Sequence, residues 1–284
     1  MKLKTAILSL AFTSFASFAS AALIGFDDLT TPAVGGTSVP DGYAGYNWTY
    51  TYYVDANNNN FGSGAPNSVG SGYHDGVVSQ PNVAFWGQDD IAKPVIITAT
   101  GGGLFDLGSV SLNAAYLEDL TIRVRGYRNG VVKYDTTVVV DPYTPTPFAF
   151  NYLGIDALRF DASGGTVGAY GDHGTFFVMD NITLTASADT DGDGVFDFED
   201  HCIHSVLGGK VNVGNGLTSI NNVLVAEGCS IQDLVNELAS AAADHGSYVD
   251  SISSLADRLR ASALITKQQA NEMKQSAAKS KVGK

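Results

Sequence analysis

A dense run of acidic residues from Asp189 to Asp200 is the part of the sequence best suited to metal chemistry. It reads DTDGDGVFDFED, with acidic side chains at loop positions 1, 3, 5, 9 and 12 and glycine at position 6. In an EF-hand-type loop this spacing directs oxygen ligands at one Ca2+ ion. Without a cation, so many crowded carboxylates would repel one another. The predicted ligands are Asp189, Asp191, Asp193, Asp197 and Asp200, with the main-chain carbonyl of Val195.

The loop is predicted to be structural. Ca2+ is favoured over Mg2+ because the loop offers many flexible oxygens and few fixed octahedral ones. Asp200 has a shorter reach than the glutamate usual at the last position, and no helix is predicted before the loop. Both differences count against a calcium-driven switch. The alternative interpretation is a solvated acidic turn.

The same run continues into Cys202 and resembles a known repeat. From Asp189 to Cys202 the pattern is D-x-D-x-D-G-x-x-D-x-x-D-x-C, which is similar to a thrombospondin type-3 repeat. The resemblance implies calcium bound by the five aspartates beside a disulfide cysteine, and an adhesive role. This chain carries one such repeat, and Ile203 follows the cysteine where proline is common.

The N-terminal segment predicts export. Lys2 and Lys4 precede a largely apolar run, and small residues follow at 19–21, so we predict a signal peptide over 1–21; the alternative is an N-terminal anchor. No later apolar stretch approaches membrane length. In an exported chain, Cys202 and Cys229 favour a disulfide over two free buried thiols. The expected location is extracellular, periplasmic or at the cell surface.

Residues 22–187 predict an all-β domain, an antiparallel jelly-roll-like β-sandwich. Leu120 to Arg125 alternates apolar and polar residues, which is typical of a half-buried strand, and Asn129-Gly130 is a two-residue hairpin signal. Residues 188–229 are expected to form the calcium loop and a disulfide-closed segment. Residues 230–284 show helical periodicity, with Ser230 and Thr266 as helix caps, and predict a small helical unit.

The sandwich segment also resembles exported β-sandwich proteins of the kind that often carry a PEP-CTERM sorting tail. The resemblance lies in Phe26 to Leu29, Val39 to Trp48, Gly76 to Ser79, Asn82 to Phe85, Val124 to Tyr127 and Phe177 to Asn181. It implies the fold and export but no activity. The chain ends at Lys281 to Lys284 without a Pro-Glu-Pro box, so membrane-linked sorting is not expected.

Two further sites are predicted in the sandwich. Asp180 is in phase with apolar residues of the last strand and Asp28 with those of the first, and unpaired buried carboxylates are costly. A second calcium site using Asp27 or Asp28 with Asp180 is one explanation, and capping of loop amides is the other. Exposed aromatic rings can stack on sugars. The candidates for glycan stacking are Trp48, Tyr50 and Trp86, with core packing as the alternative.

No catalytic motif is found in the sequence, and the expectation is a protein that is not an enzyme. The net charge of −13 argues against nucleic-acid binding, which needs a basic surface. The leading hypothesis is an exported calcium-binding protein with a structural or adhesive role. Its expected partner is an extracellular glycan or a matrix or envelope protein. The alternatives are a carbohydrate-binding module and a polysaccharide-active hydrolase.

Overall fold

The computed structural model describes residues 22–32, 35–58, 70–86 and 93–284. The predicted signal peptide, 1–21, lies outside this range. The chain divides into two compact units between Ser187 and Ala188. The predicted fold class is confirmed: an antiparallel β-sandwich precedes the acidic loop and a small helical unit.

The first unit contains two antiparallel sheets among its described residues. Its strands are β1 (Ala22–Ile24), β2 (Thr37–Ser38), β3 (Tyr46–Thr49), β4 (Thr51–Asp55), β5 (Asn82–Trp86), β6 (Val95–Ala99), β7 (Phe105–Ala114), β8 (Glu118–Arg128), β9 (Val131–Val140), β10 (Thr146–Ile155), β11 (Ala157–Thr166), β12 (Phe177–Asp180) and β13 (Ile182–Ala186). A 3-10 turn spans Tyr43–Gly45 and the helical turn α1 spans Gly72–Asp75.

One sheet has eight strands in the described ranges, in the order β1-β13-β7-β12-β5-β4-β2, with β10 also paired to β7. The other has five, in the order β3-β6-β11-β8-β9. The core lies between these sheets because alternate residues of each strand point inward. On β8, Leu120, Ile122 and Val124 are buried, whereas Arg123 is exposed. Asn129 and Gly130 both have positive φ and form the predicted hairpin turn between β8 and β9.

The second unit has a core of its own. Its strands are β14 (Lys210–Asn212), β15 (Leu217–Asn221), β16 (Leu224–Ala226) and β17 (Cys229–Ser230), and its helices are α2 (Ile231–Ala241), α3 (His245–Ala261) and α4 (Lys267–Lys279). The two hairpins, β14–β15 and β16–β17, were not predicted. Tyr248, Ile252 and Met273 are fully buried in the core of this unit.

Each helix of the second unit begins at a capping box. Ser230 and Thr266 cap α2 and α4 as predicted, and each exchanges hydrogen bonds with the third residue of its helix. The sequence analysis does not predict the start of α3, which lies at His245 behind the cap Asp244. Among the described residues, no helix is both long and apolar enough to cross a membrane.

Candidate calcium site

Main-chain amides of the acidic loop donate hydrogen bonds to the carboxylates of the same loop. Both oxygens of Asp189 accept main-chain hydrogen bonds, from Gly192 N at 2.9 Å and from Gly194 N at 3.0 Å. Gly192 and Gly194 have φ of 73° and 95°, in the left-handed region that glycine adopts without strain. The glycines at these positions therefore let the chain turn tightly enough to bring successive aspartates together.

Three of the predicted ligands converge. Oxygens of Asp189, Asp191 and Asp193 lie within 4.8 Å of one another, and in the described part of the chain no other three His, Cys, Asp or Glu residues are grouped so closely. Asp191 Oδ1 accepts from Asp193 N at 3.2 Å, and Asp193 Oδ1 accepts from Val195 N at 2.8 Å. Main-chain amides thus hold the carboxylates in place, and the loop offers a cluster of hard oxygen donors.

Two buried carboxylate oxygens in this region have no hydrogen-bond donor. They are Oδ2 of Asp193 and Oδ2 of Asp200. Desolvation raises the pKa of Asp193, helped by the negative charges of Asp191, Asp200 and Asp189. A buried oxygen without a partner is costly unless another group satisfies it. Because Asp193 is anionic and its carboxylate lies beside those of Asp189 and Asp191, a divalent cation fits the donor set of these three residues, and Asp200 is near enough to act on Asp193 electrostatically.

Asp197 is engaged differently from the other predicted ligands. Its Oδ1 accepts from Thr190 N at 2.7 Å and its Oδ2 from the Thr190 hydroxyl at 2.6 Å. Its own amide donates to the carbonyl of Ala188 at 2.8 Å. Asp197 therefore binds the first residues of the loop, and its carboxylate is not part of the three-residue group.

The end of the loop is anchored by a disulfide between Cys202 and Cys229, with Cα atoms 4.9 Å apart. Asp200 Oδ1 accepts from Cys202 N at 2.6 Å. The Asp200 carboxylate also packs on Gly228, where a Cβ atom would lie 1.7 Å from Oδ1. Gly228, which precedes Cys229, therefore lies directly against the last acidic residue of the loop, at a position where a Cβ atom would clash with the carboxylate.

Sequence analysis missed a second layer of residues around the loop. Ser205 N donates to Asp191 Oδ2 at 2.6 Å, and the Ser205 hydroxyl lies 2.9 Å from the Gly228 carbonyl and 3.0 Å from Asp233 Oδ2. Asp233 is the third residue of α2 and part of its capping box. Burial acts to raise the pKa of Asp233, but hydrogen bonds from Ser230 and Ser205 hold it below its usual range. These contacts join residues 14 to 28 positions apart, so no local sequence pattern signals this layer.

The predicted second calcium site, which uses Asp27 or Asp28 with Asp180, stays a prediction, and the structure shows other contacts for its two candidate partners. Asp28 is exposed, and its Oδ1 accepts from the Tyr43 hydroxyl at 2.6 Å. Asp27 Oδ1 accepts from Asn82 N at 3.0 Å. The predicted phase is wrong at both strands, because Phe26 and Asn181 have positive φ and reverse the alternation of side chains.

Asp180 alone is buried as expected, with 0% exposure. Its Oδ2 accepts from Val78 N at 2.7 Å and Ser79 N at 2.8 Å, and its Oδ1 accepts from Asn181 N at 2.7 Å. Burial raises the pKa of Asp180 to about 6 although these amides favour the carboxylate. The observed contacts of Asp180 are those of the amide-capping alternative.

The predicted glycan-stacking role of Trp48 and Trp86 is wrong, because both side chains are buried. Trp48 and Trp86 are each 3% exposed and pack on aromatic rings in the core, so neither offers a free face. Their indole nitrogens donate to main-chain carbonyls. Tyr50 lies in the turn between β3 and β4 with φ of 55° and is 40% exposed. The Lys93 ammonium lies 5.3 Å from the centre of its ring.

Comparisons with known proteins give only weak likenesses. No family model matches the chain, and no curated protein matches it. Among solved structures, a DUF4465 family protein from Bacteroides ovatus is 10% identical, with 61% of this chain and 96% of that chain covered and a TM-score of 0.32. The family 32 carbohydrate-binding module of Clostridium perfringens NanJ, in complex with galactose, is 8% identical, with 52% and 98% covered and a TM-score of 0.28.

A further solved structure, TmCBM61 in complex with beta-1,4-galactotriose, is 10% identical, with 52% of this chain and 94% of that chain covered and a TM-score of 0.25. At such TM-scores and identities these likenesses identify neither a family nor a ligand for this chain. The functional argument therefore depends on the geometry of the chain itself.

Proposed function

We propose that this chain is an exported calcium-binding protein in which the acidic loop holds one Ca2+ as a structural clamp. The observation that carries the proposal is the pair of buried, donor-free oxygens on Asp193 and Asp200 beside the cluster of Asp189, Asp191 and Asp193. When bound, Ca2+ would supply positive charge and several oxygen coordination positions at once. The residues of the chain supply the ligands and keep them close together.

The surroundings of the loop support a structural role. Asp191 and Asp200 each accept a main-chain hydrogen bond from the segment that follows the loop. That segment is connected to the start of α2 through the Ser205 hydroxyl and through the disulfide. A cation at the loop would therefore hold this segment against the loop and stabilise the second unit. In this proposal the sandwich serves binding or adhesion to an extracellular glycan, matrix or envelope protein.

Calorimetric titration of the purified protein with CaCl2 tests the calcium site. We expect one strong site in the unaltered protein and loss of that site in Asp193→Asn/Asp200→Asn, which keeps side-chain size and removes the anionic oxygens. The matched control is Asp250→Asn, which removes one exposed carboxylate from α3 in the same unit. The control should bind calcium like the unaltered protein.

Two outcomes would contradict the calcium proposal. One is the absence of heat or of a rise in melting temperature on adding calcium to the unaltered protein. The other is unchanged binding in the double variant, which would place the ion elsewhere in the chain. A tightly bound ligand must raise the melting temperature because it binds the folded state.

Export is tested separately by N-terminal sequencing of the protein after expression in a bacterium with its own leader. We expect the recovered periplasmic or secreted protein to begin at Ala22, after the small residues at 19–21. The disulfide supports this proposal, because disulfides persist in oxidising compartments. Recovery of cytoplasmic protein that still begins at Met1 would contradict it.

A further inference from the structure

Positive charge in the sandwich unit is concentrated on one sheet. Between residues 22 and 187 the sequence has six lysines and arginines, and five of them lie on the adjacent strands β8, β9 and β11. The five are Arg123, Arg125, Arg128, Lys133 and Arg159. In a chain with a net charge of −13, such a concentration needs a local explanation.

The register of the five-stranded sheet aligns two of these arginines. Arg159 on β11 lies directly opposite Arg125 on β8, and both alternate with buried residues, so they belong to the outer face of the sheet. Ile96 on β6 lies opposite Arg159, and Asp135 on β9 lies opposite Arg125. Like charges directly opposite each other destabilise a sheet. We refer to Arg125 and Arg159 as the arginine pair.

The arginines on this face outnumber the carboxylates that are bonded to them. Asp161 is shared, since it accepts hydrogen bonds from both Arg125 and Arg159. Asp135 is bonded to Arg123 through both of its oxygens. Three guanidinium groups thus share two carboxylates, and a third carboxylate, Asp156, lines the adjoining depression, where its Oδ2 accepts from Asn129 N. Nε of Arg125 is buried without a hydrogen-bond partner, although the side chain as a whole is 16% exposed.

Next to the arginine pair the outer face has a depression of about 270 Å3. It is lined by Ile96, Tyr127, Gly130, Asp156, Ala157 and Arg159. The Arg125 guanidinium lies 5.9 Å from the centre of the Tyr127 ring, so the aromatic ring and the positive charge adjoin. Arg159 is 34% exposed and can be reached from solvent. The depression therefore combines an aromatic ring, an aliphatic side chain, a carboxylate and a guanidinium.

We propose that this depression binds an acidic saccharide, whose carboxylate or sulfate ester is held by Arg159 and whose ring lies against Tyr127 and Ile96. Nε and Nη2 of Arg159 donate to Asp161, so the remaining N–H groups of the guanidinium would hold the anion through charge-assisted hydrogen bonds. The apolar face of a sugar ring can pack on an aromatic side chain. Asp156 at the rim is an acceptor for sugar hydroxyls. The site lies entirely within the sandwich unit and does not depend on the calcium loop.

Calorimetry on the full-length mature protein tests the proposal with three probes: trigalacturonic acid, a sulfated galactose trisaccharide and neutral galactotriose. We expect binding of at least one acidic probe and much weaker binding of the neutral one. Arg159→Gln should lower affinity for the acidic probe by about tenfold or more, because a charge-assisted contact is lost. Arg159→Lys keeps the charge but not the planar fork, and should give an intermediate affinity.

The matched control is Lys93→Gln, which removes one positive charge from the same unit outside the depression. It should bind like the unaltered protein, and melting curves identify any variant that fails to fold. Each titration is repeated in EDTA, which separates saccharide binding from the calcium loop. The proposal is overturned if neither acidic probe binds at millimolar concentration, if galactotriose binds equally well, or if the folded Arg159→Gln and Arg159→Lys variants bind like the unaltered protein.

Discussion

The main-chain amide of Ser205 donates to Oδ2 of Asp191 at 2.6 Å, and this contact joins the acidic loop to the rest of the second unit. The same serine reaches the carbonyl of Gly228 and the carboxylate of Asp233 with its hydroxyl. Because Asp233 belongs to the capping box of α2, the loop and the first helix share one hydrogen-bonded network. A change in the loop should therefore alter the stability of the helical unit.

Removal of the Ser205 hydroxyl should weaken this network without destroying the calcium site. We expect Ser205→Ala to lower the free energy of unfolding by about 1 kcal/mol, because a buried hydrogen bond is lost. The amide contact to Asp191 remains, so calcium affinity should fall by less than about tenfold. Urea denaturation in saturating calcium measures the first effect and calorimetry the second. Ser254→Ala, on the exposed side of α3, is the control and should be nearly neutral.

The disulfide should contribute to both stability and calcium affinity. It closes a segment with a sequence separation of 27, for which loop-closure entropy predicts about 3.5 kcal/mol of stabilisation. We expect Cys202→Ser/Cys229→Ser to lower the stability of the second unit by roughly that amount. Calcium should bind more weakly because Cys202 N positions Asp200. Equal calcium affinity in the double variant and the unaltered protein would contradict this link.

A methyl group at Gly228 should disrupt the site through a steric clash. The added Cβ would lie 1.7 Å from Asp200 Oδ1 and 2.2 Å from its Cγ, so the carboxylate would have to move. Gly216 is a matched control, since its φ of 88° is similar to the 75° of Gly228 but a Cβ there meets nothing within 4 Å. Both variants carry the strain of a positive φ. We expect Gly228→Ala, but not Gly216→Ala, to weaken calcium binding as measured by calorimetry.

The sequence predicted those features that depend on local pattern. The alternation of Leu120, Ile122 and Val124, the Asn129-Gly130 turn and the caps Ser230 and Thr266 all act over a few residues, and the structure confirms them. The convergence of Asp189, Asp191 and Asp193 also follows from spacing within one short loop.

Features that depend on backbone irregularity or on distant contacts could not be predicted. Phe26 and Asn181 adopt positive φ, which shifts the phase of the side chains on either side and makes strict alternation fail. Trp48 and Tyr52 have the spacing of residues on one strand face, but the turn at Tyr50 places them in different sheets. Ser205 supports the loop from 14 residues away, which no periodic pattern reveals.

Asp180 should give the sandwich unit an unusual dependence on pH. Its folded-state pKa of about 6 is higher than the ordinary value of 3.8, because the effect of burial outweighs that of the three main-chain hydrogen bonds that its carboxylate accepts. The folded state therefore binds the proton more tightly than the unfolded chain does. This contribution to the free energy of unfolding is fully present below pH 4 and is lost as the pH rises through 6. Its upper bound is about 3 kcal/mol.

The comparison that isolates this effect is Asp180→Asn, which cannot titrate. The difference in free energy of unfolding between the unaltered protein and the variant should grow in favour of the unaltered protein as the pH falls from 7 to 4. Chemical denaturation of the sandwich unit across this range measures it, with Asp172→Asn as an exposed control. A pH-independent difference would contradict the raised pKa.

The same titration tests the predicted second calcium site at Asp27, Asp28 and Asp180. Calcium beside Asp180 would favour its carboxylate form and lower its pKa. In the Asp193→Asn/Asp200→Asn background, where the loop should not bind, added calcium would then abolish the pH dependence. The contacts of Asp180 with Val78, Ser79 and Asn181 already supply its partners, so we expect calcium to leave the titration unchanged. Loss of the dependence on adding calcium would instead establish an ion at this position.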